Sequence, residues 1–120
     1  MKVEKSPSMF FYPCPVVLVT SADEKGEPNI VTLAWAGVAC SDPPTISLAI
    51  RPSRHSYGLI EQSKEFVVNI PTVNILKQTE YCGRVSGRDH KKFAETGLTP
   101  EPASKVKAPL IKECPVNLEC

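Results

Sequence analysis

Apolar and polar positions along the chain sort into short alternating blocks separated by proline- and glycine-rich turns, a pattern that predicts strands more than helices. Pro15 to Thr20 reads as a strand. The polar segment Ser21 to Pro28 then reads as a turn into a long apolar run from Asn29 to Cys40, and the two together make an antiparallel hairpin. The long run is rich in Val, Ile, Thr and Trp, and it carries the small residues Ala34, Ala36, Gly37 and Ala39. Side chains this small on a strand allow a flat group, a second backbone or a ligand ring, to approach the main chain. Ser41-Asp42-Pro43-Pro44 turns the chain, and Thr45 to Ile50 alternates as a further strand.

Beyond it, Tyr57 to Ser63 predicts a short helix and Glu65 to Ile70 a strand that Pro71 stops. An amphipathic helix is expected over Val73 to Tyr81, with Gly83 as its exit. Asp89 suits the N-cap of another helix that ends at Gly97. Leu98 to Pro109 holds three of the chain's 12 prolines and reads as an extended connection, after which Leu110-Ile111 and Pro115 to Cys120 supply the last apolar segments. Before the first strand, Met9-Phe10-Phe11-Tyr12 forms an apolar arm suited to packing on the domain or on a partner subunit. Short strands joined by turns, with helices inserted, predict a mainly β fold with helices, an antiparallel barrel rather than a βαβ layer structure. The 120 residues are expected to form one domain, large enough to bury roughly 65% of the unfolded surface.

Charge narrows the function. The net charge of +1 gives no global field for nucleic acid or an anionic membrane, so an anion site, if present, is local. No apolar run approaches a membrane span, and Glu4, Ser6 and Pro7 break any signal-peptide core, so a cytoplasmic protein is expected. The five cysteines, Cys14, Cys40, Cys82, Cys114 and Cys120, form no CxxC pair and read mostly as reduced, buried thiols. A Cys–His nucleophile built from Cys40 or Cys82 stays open, although nothing local supports it. His55 and His90 are not spaced as metal ligands. There is no GxGxxG, P-loop, HExxH or GxSxG, which argues against a Rossmann dinucleotide domain and the common hydrolases.

Two loops do concentrate chemistry: Arg51 to Tyr57 and Arg84 to Lys92. Each combines cations and hydroxyls with the start of a predicted helix, the combination a phosphate monoester requires. Either loop alone reads more simply as a solvated turn, and Trp35 alone reads more simply as core. Their co-occurrence beside the small-residue strand favours a ligand.

The run PNIVTLAWAGVACSDPPTISLAIRPSRHSYG (28–58), followed by EFVVNIP, YCGRVSGRDHKKFAETGL and the closing CPVNLEC, resembles the flavin reductase-like family of FMN-binding split barrels, flavoredoxins among them, over nearly the whole chain from about Tyr12. The resemblance implies FMN as cofactor, a homodimer with FMN near the subunit interface, and electron transfer from NAD(P)H or a protein donor through the flavin to an acceptor. The alternative it allows is an FMN-binding electron carrier without nicotinamide activity of its own; a third, from a different class, is a dimerisation module that binds no flavin.

By position, the resemblance places Thr32, Leu33, Ala34 and Trp35 along the isoalloxazine. It places Arg51, Arg54, His55, Ser56 and Tyr57 on the loop that holds the ribityl phosphate, and Ser86, Gly87, Arg88 and Lys92 on a second phosphate-side loop. No catalytic acid–base residue and no metal is implied, since the cofactor carries the chemistry. Family members continue for several strands past the position of Cys120, so the barrel is expected to be incomplete at its C-terminal end.

Overall fold

A computed structural model describes residues 1–120. Strand β1 (Val17–Ala22) is buried at every position and lies inside a four-stranded antiparallel sheet of order β2-β1-β5-β8, with β2 spanning Pro28–Leu33, β5 Val67–Ile70 and β8 Val116–Glu119. It pairs with β2 from Val17↔Leu33 to Ala22↔Pro28, which is the expected hairpin. The hairpin's turn is set by Asp23, whose Oδ1 accepts the Lys25 and Glu27 N–H groups, and by Gly26 at a φ of +82°.

Successive residues of β1 feed two different cores, because side chains on a strand alternate between faces. Leu18 and Ile30 pack with Ile75, Cys82, Leu98, Ile111 and Cys114 on the helical side. Val17, Val19, Val31 and Val68 pack on the other side against Leu33, Ala36, Ile46, Leu48, Ile60 and Phe66. A strand covered on both faces therefore reads as continuously apolar.

The second face is covered by a separate hairpin, β3 (Ala36–Ser41) with β4 (Pro44–Leu48), whose ladder carries a bulge between Val38 and Cys40. This corrects the reading of Asn29 to Cys40 as one strand. The run is two strands in two sheets, cornered at Ala34-Trp35, and the Trp35 carbonyl is held by the Ala49 N–H at 2.9 Å. Facing sheets that are not joined by strand pairing make a split barrel.

α1 (His55–Ser63) contains the predicted Tyr57–Ser63 helix and sends Ile60 into the second core. Helices α2 (Leu76–Arg84) and α3 (Lys92–Thr96) cover the other face. The expected helix over Val73 to Tyr81 begins as a 3-10 turn at Val73–Ile75 and continues as α2 (Leu76–Arg84). Gly83 lies within α2 and is not its exit: a Cβ there would come 3.0 Å from Thr32 Cβ, so its smallness serves close helix–strand packing. α3 (Lys92–Thr96) ends at Gly97 with φ +73°, as expected for a left-handed cap. Asp89 does not cap it; the helix starts at Lys92 after Lys91 with no side-chain cap, and Asp89 is exposed in the preceding turn.

The connection after Leu98 is largely irregular, with β6 (Pro100–Glu101) pairing β7 (Leu110–Ile111). Buried Asn69 ties these parts together: its Nδ2 donates to Leu18 O at 3.0 Å, and its Oδ1 accepts Ile111 N at 3.0 Å and Asn117 Nδ2 at 2.7 Å. The arm Met9–Tyr12 has no regular structure and is exposed. Of the five cysteines, only Cys82 and Cys114 are buried; Cys40 and Cys120 are exposed and Cys14 is intermediate, because β3 beyond Ala36 and the chain end are exposed. No helix is long and apolar enough to cross a membrane.

Candidate functional site

The two basic loops meet. Arg51, Ser53, Arg54, His55 and Ser56 from one, with Ser86, Gly87, Arg88 and Lys92 from the other, line a cavity of about 170 Å³ floored by Asn29 and Val31 of β2. The loops are fastened to each other through Arg88, whose Nη1 donates to Ser53 O at 2.9 Å while its main-chain N–H donates to Ser86 Oγ at 3.2 Å. Beneath them, buried Asn29 Nδ2 donates to Ser56 Oγ at 2.7 Å. Gly87 is required by this closeness: a Cβ there would overlap Asn29 Oδ1 and lie 2.8 Å from His55 Cδ2.

The cavity is cationic. The chain's three ion pairs are Arg84–Glu80, His90–Glu95 and Lys91–Glu27, so Arg51, Arg54 and Arg88 have no carboxylate partner. No carboxylate lines the cavity. Helix α1 begins here with no side-chain cap, and the main-chain N–H groups of His55, Ser56, Ser86 and Gly87 have no partner in the protein. The His55 pKa is lowered, first by burial and then by the Arg88 and Lys92 charges, with Asp23 opposing. Neutral His55 is thus the favoured form in the fold, and its contribution to stability is present above about 6.5 and lost as the pH falls through the lowered value.

Lys92 lines the cavity, as its basic loop predicted, and also has a structural part. It is only 4% exposed, and its Nζ donates to Ile30 O at 2.6 Å and Cys82 O at 2.8 Å. The ammonium joins β2 to α2 from within, with a third proton left for the cavity it lines. Burial lowers its pKa.

The predicted ring-side residues separate. Ala34 and Trp35 line an apolar depression with Met9, Phe11, Tyr12 and Ala49, whereas Thr32 turns its hydroxyl to Thr79 O at 2.5 Å and Leu33 packs into the second core. Trp35 is 44% exposed, not core, because it sits at the corner between the sheets. The Arg51 guanidinium carbon lies 5.8 Å from the Trp35 ring centroid, joining the cationic cavity to the apolar depression. Tyr57 points elsewhere, into a groove with Ile46, Leu48, Ile60 and Phe66.

Sequence reasoning missed Asn29, Val31 and Gly83 as lining residues, and it placed Ser53 and Val85 in the two loops without singling them out. Only Asn29 left a signal, as an amide at the head of an apolar strand. Neither Cys40 nor Cys82 hydrogen-bonds a histidine: Cys40 Sγ donates to Asp42 O, and burial pushes the Cys82 thiol up to about 11. His90 Nδ1 instead meets Tyr81 Oη at 3.2 Å and Glu95 Oε1 at 3.1 Å.

The model of the flavin reductase like domain matches residues 9–120. The chain belongs to the flavin reductase-like family. Flavoredoxin of Desulfovibrio vulgaris (Miyazaki F) superposes with a TM-score of 0.95 at 37% identity, over 99% of this chain and 65% of that one. An FMN-binding domain of a flavin reductase-like enzyme from Shewanella baltica superposes at 0.82 with 29% identity, over 88% of this chain and 56% of that one.

An uncharacterised protein of Archaeoglobus fulgidus is 39% identical over 111 residues, 92% of this chain and 62% of that protein. The flavin reductase-like chain thus spans about three fifths of such relatives. Its open sheets are the family's split barrel, with the cationic cavity at the start of α1 and the Trp35 corner beside it.

Proposed function

We propose that the chain binds FMN, with the phosphate in the cationic cavity and the ring over the Ala34–Trp35 corner. The observation that carries this is the junction itself: a carboxylate-free anion cradle meets an apolar, small-residue depression through the Arg51–Trp35 stack. The ligand that fits has a phosphate at one end and a flat aromatic system at the other. The free main-chain N–H groups and the Arg54 and Arg88 guanidinium groups match the oxygens and charge of a phosphomonoester, and Ala34, Ala36 and Gly37 leave room for a ring.

Bound FMN supplies the redox chemistry, accepting and releasing electrons one or two at a time. What the chain's residues do is anchor, orient and exclude water. Arg51 lies over the Trp35 ring while lining the cationic cavity, and Lys92 fixes β2 against α2 so that the floor of the cradle keeps its shape. The protein is then an oxidoreductase passing electrons from NAD(P)H to an acceptor, with a second copy of the chain beside the ring. The similarity to flavoredoxin favours a second reading, an electron carrier fed by a protein donor without nicotinamide activity of its own.

The test separates phosphate from ring. Arg54→Ala is expected to weaken FMN binding by roughly 10- to 100-fold, since a charge-assisted hydrogen bond contributes about 1.5–3 kcal/mol, while riboflavin affinity is unchanged. Flavin fluorescence titration reads both; equal losses for the two ligands would move the phosphate away from this cavity.

A further inference from the structure

Among the groups facing the cavity, His55 stands apart. It is the first residue of α1, packed against Gly87 so closely that no Cβ fits there, and neither of its ring nitrogens has a hydrogen-bond partner in the protein. Its neighbours are Arg54 on its own loop, Arg88 on the second loop, Lys92 on α3 and, more weakly, Asp23 in the β1–β2 turn. A half-buried imidazole among cations and without an acceptor is an incomplete arrangement: a cation there is opposed by its surroundings until an anion enters.

We infer that His55 is a proton-linked ligand of the phosphate, neutral in the free protein and protonated when a dianionic phosphomonoester fills the cavity. This rests on the reading of the cavity as a phosphate site. The dianion brings two negative charges to face the cations around the ring, so an imidazolium there changes from an opposed to a supported charge. With the dianion, one proton is taken from solvent onto a ring nitrogen. With the monoanion, the proton passes from phosphate to ring with no net uptake. In either case a charged N–H then donates to a phosphate oxygen. Burial and the Arg88 and Lys92 charges supply the low starting point.

The consequence is selectivity with a pH signature. Because the bound form holds the proton more tightly than the free form, His55 strengthens dianion binding as the pH falls through its bound-state value, and this gain levels off below its free-state value. Protonation of the phosphate itself, near pH 6, works in the opposite direction and is common to every variant.

The chain has two histidines, so both imidazoles are resolved in a proton–nitrogen spectrum, with His90→Asn giving the assignment. His55 is titrated in the protein alone, with saturating FMN, and with inorganic phosphate. Its midpoint is expected to start below 6.5 and to rise with either ligand. In parallel, His55→Asn is expected to abolish the rise in FMN affinity as the pH falls and to leave only the loss that phosphate protonation causes.

An upward shift with phosphate in a protein that binds no FMN would uphold the role of His55 and sink the flavin reading. FMN bound with the His55 midpoint unmoved, or a midpoint unmoved by either ligand, would overturn the inference.

Discussion

Gly87→Ala is expected to weaken FMN binding by roughly 10- to 100-fold and to lower stability as well. The new methyl overlaps the Asn29 carboxamide and lies 2.8 Å from His55 Cδ2, so both side chains must move. Asn29 is buried and donates to Ser56 Oγ at 2.7 Å, so pushing its amide aside breaks a buried hydrogen bond at a cost of about 1–3 kcal/mol. The loop that carries Ser86 and Arg88 must also lift from the start of α1, which separates the two halves of the anion cradle.

Gly58→Ala is the control. Nothing lies within 4 Å of its Cβ position, and within α1 the change is expected to raise stability by about 0.5–1 kcal/mol. Fluorescence titration with FMN and urea unfolding of both variants decide the matter. Parent-like FMN affinity in Gly87→Ala would show that the two loops do not close on the ligand.

Lys92→Met is expected to cost about 2–6 kcal/mol of stability. The methionine keeps much of the volume but strands Ile30 O and Cys82 O, each a buried acceptor whose loss of a donor costs about 1–3 kcal/mol. A drop in Tm on the order of 10 °C follows. The contrast with exposed Arg54 is the point: Arg54→Ala is expected to leave the thermal midpoint nearly in place, because no part of the fold depends on it. Calorimetry on the two variants side by side measures this. A Lys92→Met protein as stable as its parent would mean that the ammonium serves only the anion.

Lys92 also shows how far the sequence could be read. Its place in a basic loop marked it as a phosphate contact, and it does line the cavity, but nothing in KKF says that one lysine is exposed and the next is buried on two carbonyls. That distinction depends on α3 packing against β2, a long-range contact. Gly83 was misjudged for a related reason: its local context resembles a helix exit, and only the nearness of Thr32 reveals why a side chain is excluded.

The strand from Asn29 to Cys40 looked single because its apolar run continues through the corner, and Trp35 taken alone read as core because exposure at that corner has no local signature. What was legible was legible for physical cause. Both faces of β1 are covered, so its apolar run was unmistakable; Gly97 sits where a left-handed residue is needed; and both basic loops contain the cations that their joint cavity leaves without carboxylates.

The central claim is that this chain holds a phosphorylated flavin by its phosphate. The most direct measurement is the visible absorbance spectrum of the purified chain after incubation with FMN, and separately with riboflavin, followed by removal of free ligand. The account predicts flavin bands retained with FMN, in a ratio of about one per chain, and little retention of riboflavin, because the cradle's charge-assisted bonds go to the phosphate. A protein that stays colourless with FMN, or that retains riboflavin as well as FMN, would contradict it.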